Sequence, residues 1–80
     1  MRLDKYLKVS RLIKRRTLAN EACDAGRVYV NDKPAKASVS VKVGDTIEIK
    51  FGESRTHKVR VLEVKEHVRK EDTAAMYEVI

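Results

Sequence analysis

Arg15-Arg16-Thr17-Leu18-Ala19-Asn20-Glu21-Ala22-Cys23-Asp24-Ala25-Gly26-Arg27-Val28-Tyr29-Val30-Asn31 decides the fold, because its periodicity changes once, at a glycine. Before Gly26 the apolar residues recur at helical spacing: Leu18, Ala22 and Ala25 share one face, with Ala19 and Cys23 at its flank. Thr17 is the expected N-cap, its hydroxyl accepting an orphan backbone N–H. The three alanines in this stretch predict that another helix packs close. Gly26 suits the left-handed position beyond a helix end, which glycine takes without a Cβ penalty, so the helix is expected to stop at Ala25. After it the period becomes two, with Val28 and Val30 alternating against Arg27, Tyr29 and Asn31, which predicts a strand.

Working outward, Arg2 to Ser10 reads as a first helix whose Leu3, Tyr6, Leu7 and Ser10 share one side while Arg2, Lys5 and Lys8 lie away from it. Leu12 and Ile13 continue into a short turn, and Lys14-Arg15-Arg16 forms a basic connection. Downstream, Asn31-Asp32-Lys33 predicts a tight turn. Pro34 cannot donate to a ladder, which makes a strand at 35–37 short or edge-bound. Val39, Val41 and Val43 predict a further extended segment, and Gly44-Asp45 a turn before the strand Thr46-Ile47-Glu48-Ile49-Lys50. Phe51-Gly52-Glu53-Ser54 reads as a loop, Val59, Val61 and Val64 as another strand, Glu71 to Met76 as a helical turn, and Tyr77 to Ile80 as a last strand. The fold class expected is α+β, with two short N-terminal helices packed on a small, bent, mostly antiparallel sheet.

Eighty residues support one core and leave little for a deep substrate cavity, which disfavours a stand-alone enzyme. No uncharged run exceeds five residues, as from Ala37 to Val41, far short of the roughly 18 apolar residues a membrane helix needs. The start lacks an apolar secretory segment and the single Cys23 has no disulfide partner in the chain; both point to the cytoplasm. The net charge of +6 is local. Residues 1–16 hold seven basic side chains against Asp4 alone, and the rest of the chain balances. A patch of that density attracts phosphate polyanions or an anionic membrane. The membrane reading is the weaker, because Leu3, Tyr6, Leu7, Leu12 and Ile13 are needed for the core.

The order and spacing of Arg2-Leu3-Asp4-Lys5-Tyr6-Leu7, Ser10-Arg11, Arg15-Arg16-Thr17-Leu18-Ala19, Ala25-Gly26-Arg27-Val28-Tyr29-Val30-Asn31 and Val43-Gly44-Asp45-Thr46-Ile47 resemble the S-four RNA-binding domain, the αL RNA-binding motif. The likeness covers about residues 2–50 of a single RNA-binding domain at 1–80, with 51–80 as a C-terminal strand extension. One departure is Asp32 where the family usually has glycine after Asn31, which predicts a slightly less favourable turn and the same fold. Enzymes of the family carry the motif beside a separate catalytic domain. This chain looks instead like the small stand-alone bacterial members, the ribosome-quality-control S-four proteins of Gram-positive bacteria foremost, then the heat-shock ribosome-associated ones. That resemblance implies binding to ribosomal RNA of an obstructed large subunit that still carries peptidyl-tRNA. It also implies support of C-terminal alanine tailing with the factor that recruits alanyl-tRNA. No constellation for acid–base or nucleophilic catalysis appears in the sequence, and the expectation is a monomeric binder without cofactor, membrane attachment or catalysis. An assembly factor binding ribosomal RNA, and an RNA-binding partner of a separate RNA-modifying enzyme, remain alternatives.

On this reading Arg2, Arg11, Arg15 and Arg16 are the phosphate anchors, since guanidinium grips phosphate with paired N–H groups, and Lys5, Lys8 and Lys14 steer. Arg16 stands first among them, beside the free N–H groups of the second helix. Asp4 either orients a neighbouring arginine or accepts from a 2′-hydroxyl or base amino group, or is a plain first-turn charge. His57 and His67 lack zinc-ligand spacing, Cys23 reads as a small buried hydrophobe, and Gly44-Asp45 belongs to no phosphate-loop pattern. Tyr6 reads as core, while Tyr29 and Tyr77 are open.

Overall fold

The structure is a computed structural model describing residues 1–52 and 54–80. Helix α1 is Leu3–Val9. Its Leu3, Tyr6 and Leu7 are fully buried, as is Ser10 just beyond it, so the periodicity read in the sequence holds. No side chain caps the N-terminus of α1. Instead the Leu3 and Asp4 N–H groups donate to the Val39 and Ala37 carbonyls, at 2.7 and 3.2 Å. That capping duty sets the role of residues 39–43, which form no strand of the sheet. Ser40 makes only an isolated bridge with Arg2, and of the three valines Val41 alone is buried.

Helix α2 is Arg16–Asp24, with Arg15 in the N-cap position, so Thr17 lies inside the helix and is not its cap. Its buried face also differs from the one expected. Ala19 and Cys23 point inward, Leu18 is 49% exposed and Ala25 is exposed. The physical reason is closeness: α1 and α2 pack on each other, and residues as small as Ala19 and Cys23 allow it where leucine would hold the helices apart. Gly26 does end the helix. At φ +76° its N–H donates to Cys23 O and the Arg27 N–H to Ala22 O, both at 3.0 Å, the paired bonds of a Schellman motif.

The sheet contains β1 (Val28–Val30), β2 (Lys33–Pro34), β3 (Thr46–Lys50), β4 (Thr56–Val61) and β5 (Tyr77–Val79). All pairings are antiparallel, in the order β2-β1-β3-β4-β5. The edge strand after the turn is Lys33–Pro34 and not 35–37; the Ala35 N–H still donates to the Val28 carbonyl at 3.0 Å, and the Ala35 and Ala37 side chains enter the core. Pro34 sits opposite Tyr29 at the sheet margin, where its missing N–H costs no ladder bond. Asn31 and Asp32 both take positive φ, 51° and 68°, the geometry of a type I′ hairpin turn. Val28, Ile47, Ile49, Val59 and Val61 form the sheet's contribution to the core. Within the loop expected at 51–54, Glu53 lies outside the described residues.

β4 ends at Val61, before Val64, which packs half-buried beyond the strand. The expected helical turn is a 3-10 turn at Lys70–Ala75. Met76 after it is fully buried, and Tyr6 Oη donates to its carbonyl at 2.7 Å, tying α1 to the chain just before β5. Tyr6 is therefore core, and burial raises its phenol pKa.

Candidate nucleic-acid interface

Asp4 is the centre of the basic face. Its side chain is 3% exposed, yet it is surrounded by donors: Arg2 Nε at 3.2 Å, the Lys5 N–H at 2.8 Å, Arg16 Nε at 3.4 Å and Asn20 Nδ2 at 3.3 Å. Helical spacing makes the cluster. Arg2 precedes α1, Asp4 occupies its first turn, and Arg16 and Asn20 sit at i and i+4 on the side of α2 that faces it. Burial alone would raise the Asp4 pKa, but the bonds from Asn20, Arg2, the Lys5 N–H and Arg16 outweigh it and hold the carboxyl below its ordinary value. The carboxylate stays charged and fixes two guanidinium groups that are themselves half-exposed, at 51% for Arg2 and 49% for Arg16. Arg16, Thr17, Asn20 and Glu21 line an open groove of about 350 Å³ against Asp4.

The remaining cations behave differently. Lys5 Nζ pairs with Glu66 Oε2 at 2.6 Å, a contact spanning the chain from α1 to the segment after β4. Among the described residues, Lys8, Arg11, Lys14 and Arg15 have no acidic partner within ion-pair distance. Lys8, Arg11 and Lys14 share a second groove, and Arg15 stands at the exposed start of α2, outside both grooves. Arg11 has φ +63° just after α1, a position that usually takes glycine. An arginine held there bears a backbone cost of about 1–3 kcal/mol. The face thus joins arginines preset on Asp4 to cations without counter-ions.

Sequence reading missed Asn20, Glu66 and His67. Asn20 was within reach, since it stands one helical turn after Arg16; Glu66 and His67 join the face only through tertiary folding. Cys23 is buried and its thiol is pushed up to about 11, first by burial and then by the Asp4 and Asp24 charges, which suits a core residue. Tyr29 is half-buried in β1, with Lys50 Nζ 4.6 Å from its ring centroid. Tyr77 is half-buried at the start of β5. Among the described residues no His, Cys, Asp and Glu group could hold a metal ion, and no helix is long and apolar enough to cross a membrane.

Comparison with known proteins adds to this geometry. A family model described as the S4 domain matches residues 1–47. The chain is 58% identical to the RQC P-site tRNA stabilizing factor of Streptococcus pneumoniae over its full length, covering 90% of that protein. It is 52% identical to the factor of the same name from Bacillus subtilis, again over all 80 residues and 92% of the relative. Among solved structures, the trimeric heat shock protein 15 of Vibrio cholerae superposes with a TM-score of 0.91 at 28% identity, covering all of this chain and 81% of the other.

Proposed function

Because the chain belongs to the S4 domain family, we propose that it is an RNA-binding factor of ribosome quality control that steadies P-site tRNA. In this reading it sits in the cytoplasm as a monomer, on obstructed large subunits that carry peptidyl-tRNA. It grips ribosomal RNA and the adjacent tRNA, and so supports C-terminal alanine tailing together with the factor that recruits alanyl-tRNA. Its contribution is binding, not turnover. Arg2, Lys5, Lys8, Arg11, Lys14, Arg15 and Arg16 contact RNA, and Asp4 serves them as a positioning residue.

The observation that carries the proposal is the Asp4 cluster. Two guanidinium groups anchored on one buried carboxylate lose little side-chain freedom when they meet phosphates. Beside them, α2 starts without a side-chain cap, and its first N–H groups add to the attraction for an anion. A-form RNA displays phosphates and 2′-hydroxyls on a rigid surface that two helices at an angle can follow.

Sucrose-gradient sedimentation of tagged protein from cells, wild type beside Arg16→Ala, tests it. Wild type is expected with large subunits bearing peptidyl-tRNA, and Arg16→Ala at the top of the gradient. Asp4 keeps three of its four donors in that variant, so its thermal midpoint is expected to fall by no more than about 5 °C. Sedimentation of both proteins with immature particles, or of neither with ribosomes, would remove the tRNA-steadying role.

A further inference from the structure

The residues matched by the family model end at 47, but the basic surface does not. Lys8, Arg11 and Lys14 form one side of a groove of about 190 Å³, and Glu66 and His67, from the segment after β4, form the other. Val9 and Val68, both half-buried, also line it. The Lys5–Glu66 ion pair, at 2.6 Å, links α1 to the segment after β4. At about 30 Å³ per water, this space admits a group of several heavy atoms. Its three cations form no ion pair among the described residues and outnumber the Glu66 carboxylate that lines the groove with them, so their mutual repulsion favours entry of a further anion. His67 adds an N–H donor that an imidazole offers whether or not it is protonated.

We propose that this groove is a second phosphate subsite, taking a phosphodiester of bound RNA between Lys8, Arg11 and Lys14 on one side and His67 on the other. Glu66 sets its strength: it neutralises Lys5 and places a negative charge where the phosphate must approach. The proposal rests on the RNA-binding reading above and deepens it, since it makes residues 66–68 part of the interface. An RNA phosphate suits the groove better than a free one. The groove is open to solvent, and its exposed Arg11 and Lys14 lie on the segment 11–16 that leads to Arg16 on the Asp4 cluster, with Leu12 and Ile13 turned partly into the core. A continuous polyanion can occupy both.

The test is affinity for a fluorescein-labelled 12-base-pair RNA hairpin, measured against salt, for the full chain and for Glu66→Gln, His67→Ala and Arg16→Ala. Glu66 and His67 are exposed, so their variants are expected to keep the wild-type thermal midpoint. Glu66→Gln should tighten binding about two- to fivefold, the scale of one exposed charge pair. It should also steepen the log–log salt slope by about 0.9, because Lys5 then reaches phosphate without leaving a carboxylate that takes up a cation in its place. His67→Ala should weaken binding by about two- to fivefold with the slope unchanged. If neither variant moves the affinity while Arg16→Ala still weakens it, the subsite is wrong and the RNA reading stands. If wild type does not bind the hairpin, both fail. If inorganic phosphate shifts the His67 NMR signals but the hairpin affinity ignores both substitutions, the groove takes free phosphate and the RNA subsite is overturned.

Discussion

A carboxylate removed from water loses several kcal/mol of solvation, and it remains charged only where donors replace the water. Asp4 meets that condition with two arginines, a backbone N–H and Asn20. Because the folded pKa lies below the ordinary 3.8, the carboxylate adds stability that is complete above the unfolded value and fades as pH falls through 3.8 toward the folded one. Asp4→Asn is therefore expected to lower stability by about 1–3 kcal/mol at neutral pH. The gap to wild type should close on acidification below about pH 4. Urea unfolding of both proteins from pH 7 to pH 3 measures it, and a gap that widens in acid would contradict the assignment. The same substitution releases Arg2 and Arg16, so RNA affinity should fall at neutral pH by more than the lost stability explains.

Among the elements, the β1–β2 hairpin carries a correctable strain. Asn31 and Asp32 both have positive φ, but for different returns. Asn31 Oδ1 accepts the Thr46 N–H at 3.0 Å and its Nδ2 donates to Asp45 at 3.1 Å, which binds the turn to β3. Asp32 makes only a 3.8 Å contact with Lys58. Asp32→Gly is expected to stabilise by about 0.5 kcal/mol, the relief of left-handed strain less the chain entropy of glycine. Calorimetry should show a thermal midpoint higher by about 2–4 °C. Asn31→Gly should move it the other way, and a rise there would show that the side-chain bonds to β3 contribute nothing. Elements of this kind were legible in the sequence: α1 from its apolar spacing, the stop at Gly26 from a glycine that takes positive φ, β3 from alternation. The buried face of α2 was not, because hydrophobicity favours Leu18 inward whereas the close approach of α1 selects Ala19 and Cys23. Residues 39–43 alternate like a strand, but the Val39 carbonyl, with that of Ala37 just before it, serves the start of α1. The seven cations of the candidate site were visible as composition, while the grouping that Glu66 and His67 complete depends on contacts about sixty positions apart, which local pattern does not encode.

Over the whole molecule, charge is divided by face. The surplus of six lies within residues 1–16, and the other 64 residues balance. The outward side of the sheet shows that balance at short range, with Arg60 against Glu78 at 3.2 Å, Lys58 near Asp32, and Lys50 over the Tyr29 ring. A molecule with one strongly positive face and one nearly neutral face is oriented by a polyanion before contact, and it releases counter-ions from that face alone. RNA binding is thus expected to fall with salt along a log–log slope of about −3 to −5, which corresponds to four to six phosphate contacts. Location is the sharper part of the prediction. Lys14→Ala should make the slope shallower by about one unit, whereas Lys58→Ala, which removes a cation of equal charge from the sheet, should leave it unchanged. Equal effects from the two variants would mean that binding responds to net charge and not to this face. A slope near zero would mean that phosphates do not dominate, and the preset arginines on Asp4 would then need another partner.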